Sequence, residues 1–322
     1  MLRVLFLYLS TAKWARWIVT NWGFARRTAK RFVAGDTIQE ALEVVQALNA
    51  RAHFTTLDHL GENVTNAEEA LRGTDAYIEI LQLLSETKAA SGVSLKLTQL
   101  GLGLDYELCL SNLRCIVTRA EEFGMFVRID MEDSPTVDRT LQIYQALRDE
   151  GLKNVGMVIQ AYLYRSEDDV RNLLQNGSRI RLCKGAYKEP AEIAFPKKDD
   201  VDKNFDLLTS LMISHAFNSG SEPVSKDGTQ PPITAIATHD EERIIFACAY
   251  AEEIGLQKSA LEFQMLHGIR SDLQQSLVDQ GYPVRVYVPY GTEWYPYYMR
   301  RLAERPANLW FFISNYFRGS TP

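Results

Sequence analysis

The sequence predicts an α/β chain: a closed (β/α)8 barrel over residues 46–322, preceded by an N-terminal helical segment over 1–45. Three observations predict it. Short, β-rich apolar runs recur eight times, a longer helical pattern separates each from the next, and polar residues gather towards the C-terminal part of the runs. Strands that alternate with helices pair in parallel, and eight such units close on themselves. With 322 residues, 46% of them apolar, the chain can bury a core of that size.

Taken in order, the first 45 residues, including "NWGFARRTAKRFVAGDTIQEALEVV", read as amphipathic helices ahead of the barrel. Their start, "MLRVLFLYLSTAKWARWIVTNW", is interrupted by Lys13 and Arg16, well short of the roughly 20 apolar residues that a membrane span needs. It lacks a small-residue cleavage site, so a helix packed on the domain is favoured over membrane contact. Strands are expected at "HFTTLDHLG" (53–61), "VSLKLTQLG" (93–101), "FVRIDME" (126–132) and "VGMVIQA" (155–161). The second four are "IRLCKGA" (180–186), "ITAIATHD" (233–240), "LEFQMLHG" (261–268) and "VRVYVPYG" (284–291). Thr65 and Glu68 have the spacing of a capping box ahead of the helix that follows strand one. The longest gap lies between strands five and six. Within it "NSGSEPVSKDGTQPP" (218–232) reads as a mobile surface loop. The last helix starts near Tyr295, directly after the eighth strand.

Composition excludes several function classes. A net charge of −6 without a basic block argues against nucleic acid as a partner. Cys109, Cys115, Cys183 and Cys248 form no CxxC, which points to a reducing cytoplasm, and the histidines lack metal-ligand spacing. "GLGLDY" places Tyr106 where a dinucleotide fingerprint needs its third glycine, and there is no P-loop.

The candidate site is the ring of strand ends: Asp58, Lys96, Asp130, Gln160, Arg181, Lys184, Thr238, His239 and Tyr287. In a parallel barrel these meet on one face, where barrel enzymes keep their chemistry. Lys96 and Asp130, closing strands two and three, are expected to pair, which would hold Lys96 protonated as an anchor rather than as a Schiff-base nucleophile. In "IRLCKGAYKEP", Arg181 and Lys184 are either a basic strand end neutralised by acids such as Glu189 or cations facing an anionic cofactor, which Gly185 and Ala186 would let approach the backbone. In "YYMRRLAERPAN", Tyr297, Arg300, Arg301 and Glu304 share one broad helix face beside the mouth. Two guanidinium forks there form a clamp for a carboxylate, with Glu304 fixing one of them.

The chain resembles the proline dehydrogenase family over essentially its whole length. "SLKLTQLGL", "RIDME", "VIQAYL", "RLCKGAYKEP", "ATHD", "EFQMLHG" and "YYMRRLAERPAN" carry the resemblance, in order. It implies a distorted barrel whose eighth helix lies over the mouth, in the single-function bacterial form. It implies FAD as cofactor and L-proline as substrate, oxidised to Δ1-pyrroline-5-carboxylate by hydride transfer from C5 to flavin N5. A membrane quinone would then take the electrons, so the protein would sit in the cytoplasm or peripherally on the inner face of the cell membrane. By resemblance, Lys96, Arg300 and Arg301 bind the proline carboxylate, Asp130 pairs with the lysine, and Glu304 supports the arginines. Ala186, Leu266, Tyr287 and Tyr297 enclose the ring, and Arg181 lies near flavin N5. Met131, Gln160, Lys184, Gly185, Ala186, Thr238 and His239 line the cofactor. Two departures stand out: Cys183, a small filler where an aliphatic residue is expected, and Tyr290, an added aromatic near the mouth. Rival readings are a Schiff-base barrel aldolase using Lys96 or Lys184, and a non-catalytic barrel that binds an amino acid. Oligomeric state is left open.

Overall fold

The computed structural model describes Ala29 and residues 31–304, with the backbone alone for 302–304. The expected helix over the first 22 residues lies outside them. Eight parallel strands close in sequence order into a barrel, β1 to β8. They are β1 (Phe54–His59), β2 (Ser91–Leu95), β3 (Val127–Ile129), β4 (Val155–Gln160), β5 (Ile180–Cys183), β6 (Thr234–Ala237), β7 (Leu261–Leu266) and β8 (Val284–Tyr290). Closure is made by β1 against β8, in register from Phe54 opposite Arg285 to His59 opposite Tyr290.

The helices are α1 (Ile38–Asn49), α2 (Ala67–Thr87), α3 (Tyr106–Glu122), α4 (Val137–Asp149) and α5 (Ser166–Gln175). They continue as α6 (Lys198–Asn218), α7 (Glu241–Ile254), α8 (Ser271–Asp279) and α9 (Trp294–Glu304). Helix α1 spans the boundary expected at residue 45 and opens with a complete capping box between Thr37 and Glu40. The cap of α2 falls one residue later than the sequence spacing suggests. Asn66 accepts from the Glu69 amide, while the Thr65 amide donates to the Glu69 carboxylate at 2.8 Å. Glu68 instead pairs with Arg72 on the exposed face.

Several strands are shorter than their apolar runs. The run expected to continue to residue 101 ends as a strand at Leu95, and Leu97–Leu100 turn into a 3-10 helix. β3 keeps only three residues. The residues shed from these strands (Lys96, Asp130, Met131, Lys184, Thr238 and His239) are the polar and mouth-facing ones. They leave the ladder just where the barrel opens.

Two apolar clusters hold the described residues together. The larger joins the barrel strands to their helices. The smaller packs Ala29, Phe32 and Val33 with Leu60 against Trp294, Tyr295, Tyr297, Tyr298 and Met299 of α9. The segment before α1 thus buttresses the last helix, tied by Ala34 N–H to Pro289 O at 2.8 Å and by Gly291 N–H to Gly35 O at 2.9 Å.

The 218–232 segment is a correction to the expected mobile surface loop. Thr229 and Pro231 are buried, and the Gly228 carbonyl accepts from Arg285 at 2.9 Å inside the barrel. The segment closes the end of the barrel opposite the mouth.

Candidate active site

A cavity of about 290 Å³ opens at the C-terminal ends of the strands. Of the site residues expected from the sequence whose side chains are described, all but Asp58 line it; Asp58 is fully buried beneath Lys96, and the Glu304 side chain lies outside the described residues.

The cationic part is made by Lys96, Arg300 and Arg301. Lys96 sits just past β2 and is almost buried. Its Nζ donates to Asp58 Oδ2 at 3.1 Å and lies 3.9 Å from Asp130 Oδ2. Its closer partner is therefore Asp58 on β1, not the expected Asp130, because the carboxylate of Asp130 is turned towards Arg181. Burial acts to lower the Lys96 pKa, but Asp58 and then Asp130 more than reverse it, and the net shift is upward. A lysine held in this way is a cation, not an imine former. Arg300 forms a bidentate pair with Glu62, at 3.0 and 3.2 Å. Opposed by burial, Glu62 still raises the Arg300 pKa. The face of its fork that would take a carboxylate is thus filled by Glu62. The Arg301 guanidinium lies 5.1 Å from the ring centroid of Tyr297, which also faces the cavity.

Deeper in the barrel, Arg181 is buried and each of its three nitrogens donates a hydrogen bond. Its Nη1 donates to Asp130 Oδ1 at 2.8 Å, its Nη2 to Ser94 Oγ at 2.9 Å, and its Nε to Gln264 Oε1. The second oxygen of Asp130 accepts from the Tyr287 hydroxyl at 2.8 Å. Burial raises the Asp130 pKa while Arg181 and Lys96 oppose it. With both oxygens accepting, the arrangement is that of a carboxylate. Burial also pushes the Tyr287 phenol well up, so it stays a donor.

The remaining residues give the cavity a mixed surface. Lys184, just past β5, is held by Asp202 of α6 and by Asp240. Those two acids neutralise it, whereas Glu189 instead accepts from the Ser134 amide at 2.8 Å. Gly185 has φ +106°, and a Cβ there would meet the Tyr162 ring at 2.3 Å, so glycine is required by its neighbour as well as by the backbone. His239 Nε2 accepts from the Leu266 amide at 3.0 Å, which places the imidazole proton on Nδ1. Thr238 caps the turn by accepting from the Asp240 amide, and Gln160 donates to the Glu132 carbonyl at 2.7 Å. Met131, Ala186 and Leu266 add apolar surface, as do Val158 and Met265.

Sequence reading missed Glu62, Tyr187 and Glu132. Glu62 and Tyr187 stand in loops where local pattern is silent. Glu132 is nearly buried; its carboxylate accepts from the Thr98 amide at 3.0 Å and from the Thr98 hydroxyl, pinning the turn after Lys96. Burial pushes its pKa up to about 7. The strand-end position of Asp58 was visible, but its partner was not. Tyr290 does not line the cavity: it is buried with its ring 5.2 Å from that of His59. Cys183 is half-buried in the wall, consistent with a small filler.

A model of the proline dehydrogenase family matches residues 41–313. The chain is 42% identical over 313 residues to proline dehydrogenase 1 of Bacillus subtilis, covering 97% of this chain and 98% of the relative. It is 40% identical over 295 residues to proline dehydrogenase of Deinococcus radiodurans, covering 90% of each. Among solved structures it resembles proline utilization A from Bdellovibrio bacteriovorus, inactivated by N-propargylglycine, with a TM-score of 0.77 and 27% identity. That match covers 87% of this chain and 33% of the larger protein, so the chain spans about a third of it. A family match along most of the sequence, relatives of the same length and the same barrel lead to one conclusion: the chain belongs to the proline dehydrogenase family and is an oxidoreductase.

Proposed function

We propose that this protein oxidises L-proline to Δ1-pyrroline-5-carboxylate, with FAD held in the same cavity as the substrate. The observation that carries the reading is that Lys96, Arg300 and Arg301 share one cavity with Arg181, whose pairing with Asp130 fixes its place. In this reading the three cations take the substrate carboxylate, binding through Arg300 exchanging Glu62 for it. Asp130 is a positioning residue, holding Arg181, Lys96 and the Tyr287 hydroxyl in fixed relation. Tyr287, Tyr297, Leu266 and Ala186 close around the apolar ring.

The residues present also fit a flavin. Met131, Val158 and Met265 offer apolar surface to a planar ring, and Arg181 offers charge to its electron-rich edge. Gln160, Lys184, Gly185, Thr238 and His239 supply polar and backbone contacts. When bound, FAD supplies the acceptor for a hydride from proline C5 at its N5 and passes the electrons to a quinone. The protein's own work is to fix the imino acid by its acidic end and to exclude water around C5. Contact with the quinone-bearing membrane is proposed to be peripheral. No helix among the described residues is long and apolar enough to cross a membrane.

An anaerobic absorbance spectrum before and after adding L-proline tests this. A yellow protein whose flavin band bleaches with proline is expected. A band that dithionite bleaches and proline does not would reduce the site to binding alone. A colourless protein whose Lys96 or Lys184 is trapped by borohydride with a carbonyl substrate would favour imine chemistry.

A further inference from the structure

A second, much smaller cavity of about 10 Å³ lies inside the barrel, towards the N-terminal ends of the strands. It is sealed below by Thr229 and Pro231, and lined by Arg128, Arg181 and Arg285 together with Thr56 and Gln264. Among the described residues, no carboxylate lines it. Three guanidinium groups around so small a space need an explanation.

Two of them have a carboxylate. Arg181 is paired with Asp130, and Arg285 holds Glu262 by two hydrogen bonds of 3.0 Å, its other donors going to the Thr55 and Gly228 carbonyls. Arg128 is different. Its Nη1 donates to the carbonyls of Met157, at 3.0 Å, and Arg179, while its Nε and Nη2 meet no acceptor among the described residues. The residue is 2% exposed, and its guanidinium lies 4.8 Å from the ring centroid of Phe126. Carbonyls and a ring face satisfy dipoles without cancelling the charge. Burial, then Arg181, push the Arg128 pKa well down, yet an arginine in a protein keeps its proton. An isolated buried charge is costly, and it is tolerated when something of opposite sign lies beside it.

We propose that the barrel floor binds one monatomic anion, chloride being the abundant one, on Nε and Nη2 of Arg128. The size of the cavity selects the occupant. It admits about one water-sized sphere, the scale of a single small occupant, so a monatomic anion fits better than phosphate or a carboxylate. The charge agrees: three cations against Asp130 and Glu262 leave one positive charge, which one monovalent anion cancels. Water would satisfy the two N–H groups and leave that charge standing.

The test uses the full chain, purified and crystallised with sodium bromide in place of chloride, with diffraction data collected at the bromine edge. One anomalous peak within hydrogen-bond reach of Arg128 Nε and Nη2 is expected. Density at that point without anomalous signal would identify water and overturn the proposal. Separately, the thermal midpoint of the wild type should rise by roughly 3–6 °C in sodium chloride over sodium gluconate at equal ionic strength. Arg128→Met, which removes the charge and keeps much of the bulk, should lose that difference. Equal wild-type midpoints in the two salts would also count against the site. If the variant does not fold, the bromide experiment on the wild type still decides.

Discussion

Replacing Arg301 with Met is expected to raise KM for L-proline by about a hundredfold or more, with kcat changed far less and the flavin still bound. A hydrogen bond between charged groups contributes about 1.5–3 kcal/mol, and each 1.4 kcal/mol is about tenfold in affinity. Two such bonds from one planar fork to a carboxylate set the scale. A contact made equally in the ground and transition states appears in KM rather than in kcat. Arg301 lines the cavity beside Tyr297, whereas the fork of Arg300 is already held by Glu62. Arg301 is therefore the cleaner probe, since Arg300→Met would also strip Glu62 of its cation. Steady-state kinetics with the flavin absorbance of the purified variant checks the expectation. An unchanged KM would remove Arg301 from substrate binding.

Lys96→Met should cost about 3–5 kcal/mol of stability at neutral pH, as expected when one partner of a buried ion pair is removed. For a chain of 322 residues that corresponds to a drop of about 4–7 °C in thermal midpoint. In the wild type the Lys96 pKa is raised in the fold, so its contribution is fully present below the ordinary value of 10.5 and fades only above it. The variant behaves differently. Asp130, whose pKa burial already raises, loses one of the two cations that oppose that rise, so its carboxyl is pushed further up. An acid whose pKa is higher folded than unfolded destabilises the fold as pH rises between those two values. The gap between wild type and variant should therefore be wide at pH 8 and narrow towards pH 5. Melts at the two pH values measure it. A gap that does not change with pH would place the loss in packing rather than in charge.

How much of this could be read from the sequence depends on the range of the interaction. The eight strands were legible because apolar runs such as "VGMVIQ" and "LEFQML" carry their signal within a few neighbouring residues. Their ends were not, since "VSLKLTQLG" goes on alternating leucines with polar residues past Lys96, and only the three-dimensional turn there shows where pairing stops. Residue placement around the mouth was legible for the same reason: strand-end position is local. Partner choice was not. Strand order paired Lys96 with Asp130, but Arg181 and Tyr287 occupy both oxygens of Asp130, and Asp58 is the nearer partner of the lysine. The Glu62–Arg300 pair joins positions 238 residues apart, and Gly185 owes its identity to a ring that sequence does not place beside it. The resemblance to known dehydrogenases supplied roles that spacing alone left open.

The helix that carries the two adjacent arginines is anchored mainly in the smaller apolar cluster, apart from the one that unites the barrel. Separate clusters open at separate free energies. Hydrogen–deuterium exchange under native conditions should accordingly show the amides of Trp294–Glu304 exchanging faster than those in the strands. Equal protection would mean that the two regions come apart together. With unequal protection, the protein has a hinge-free way to loosen its hold on a small molecule: one helix frays at its seat while the sheet behind it stays shut.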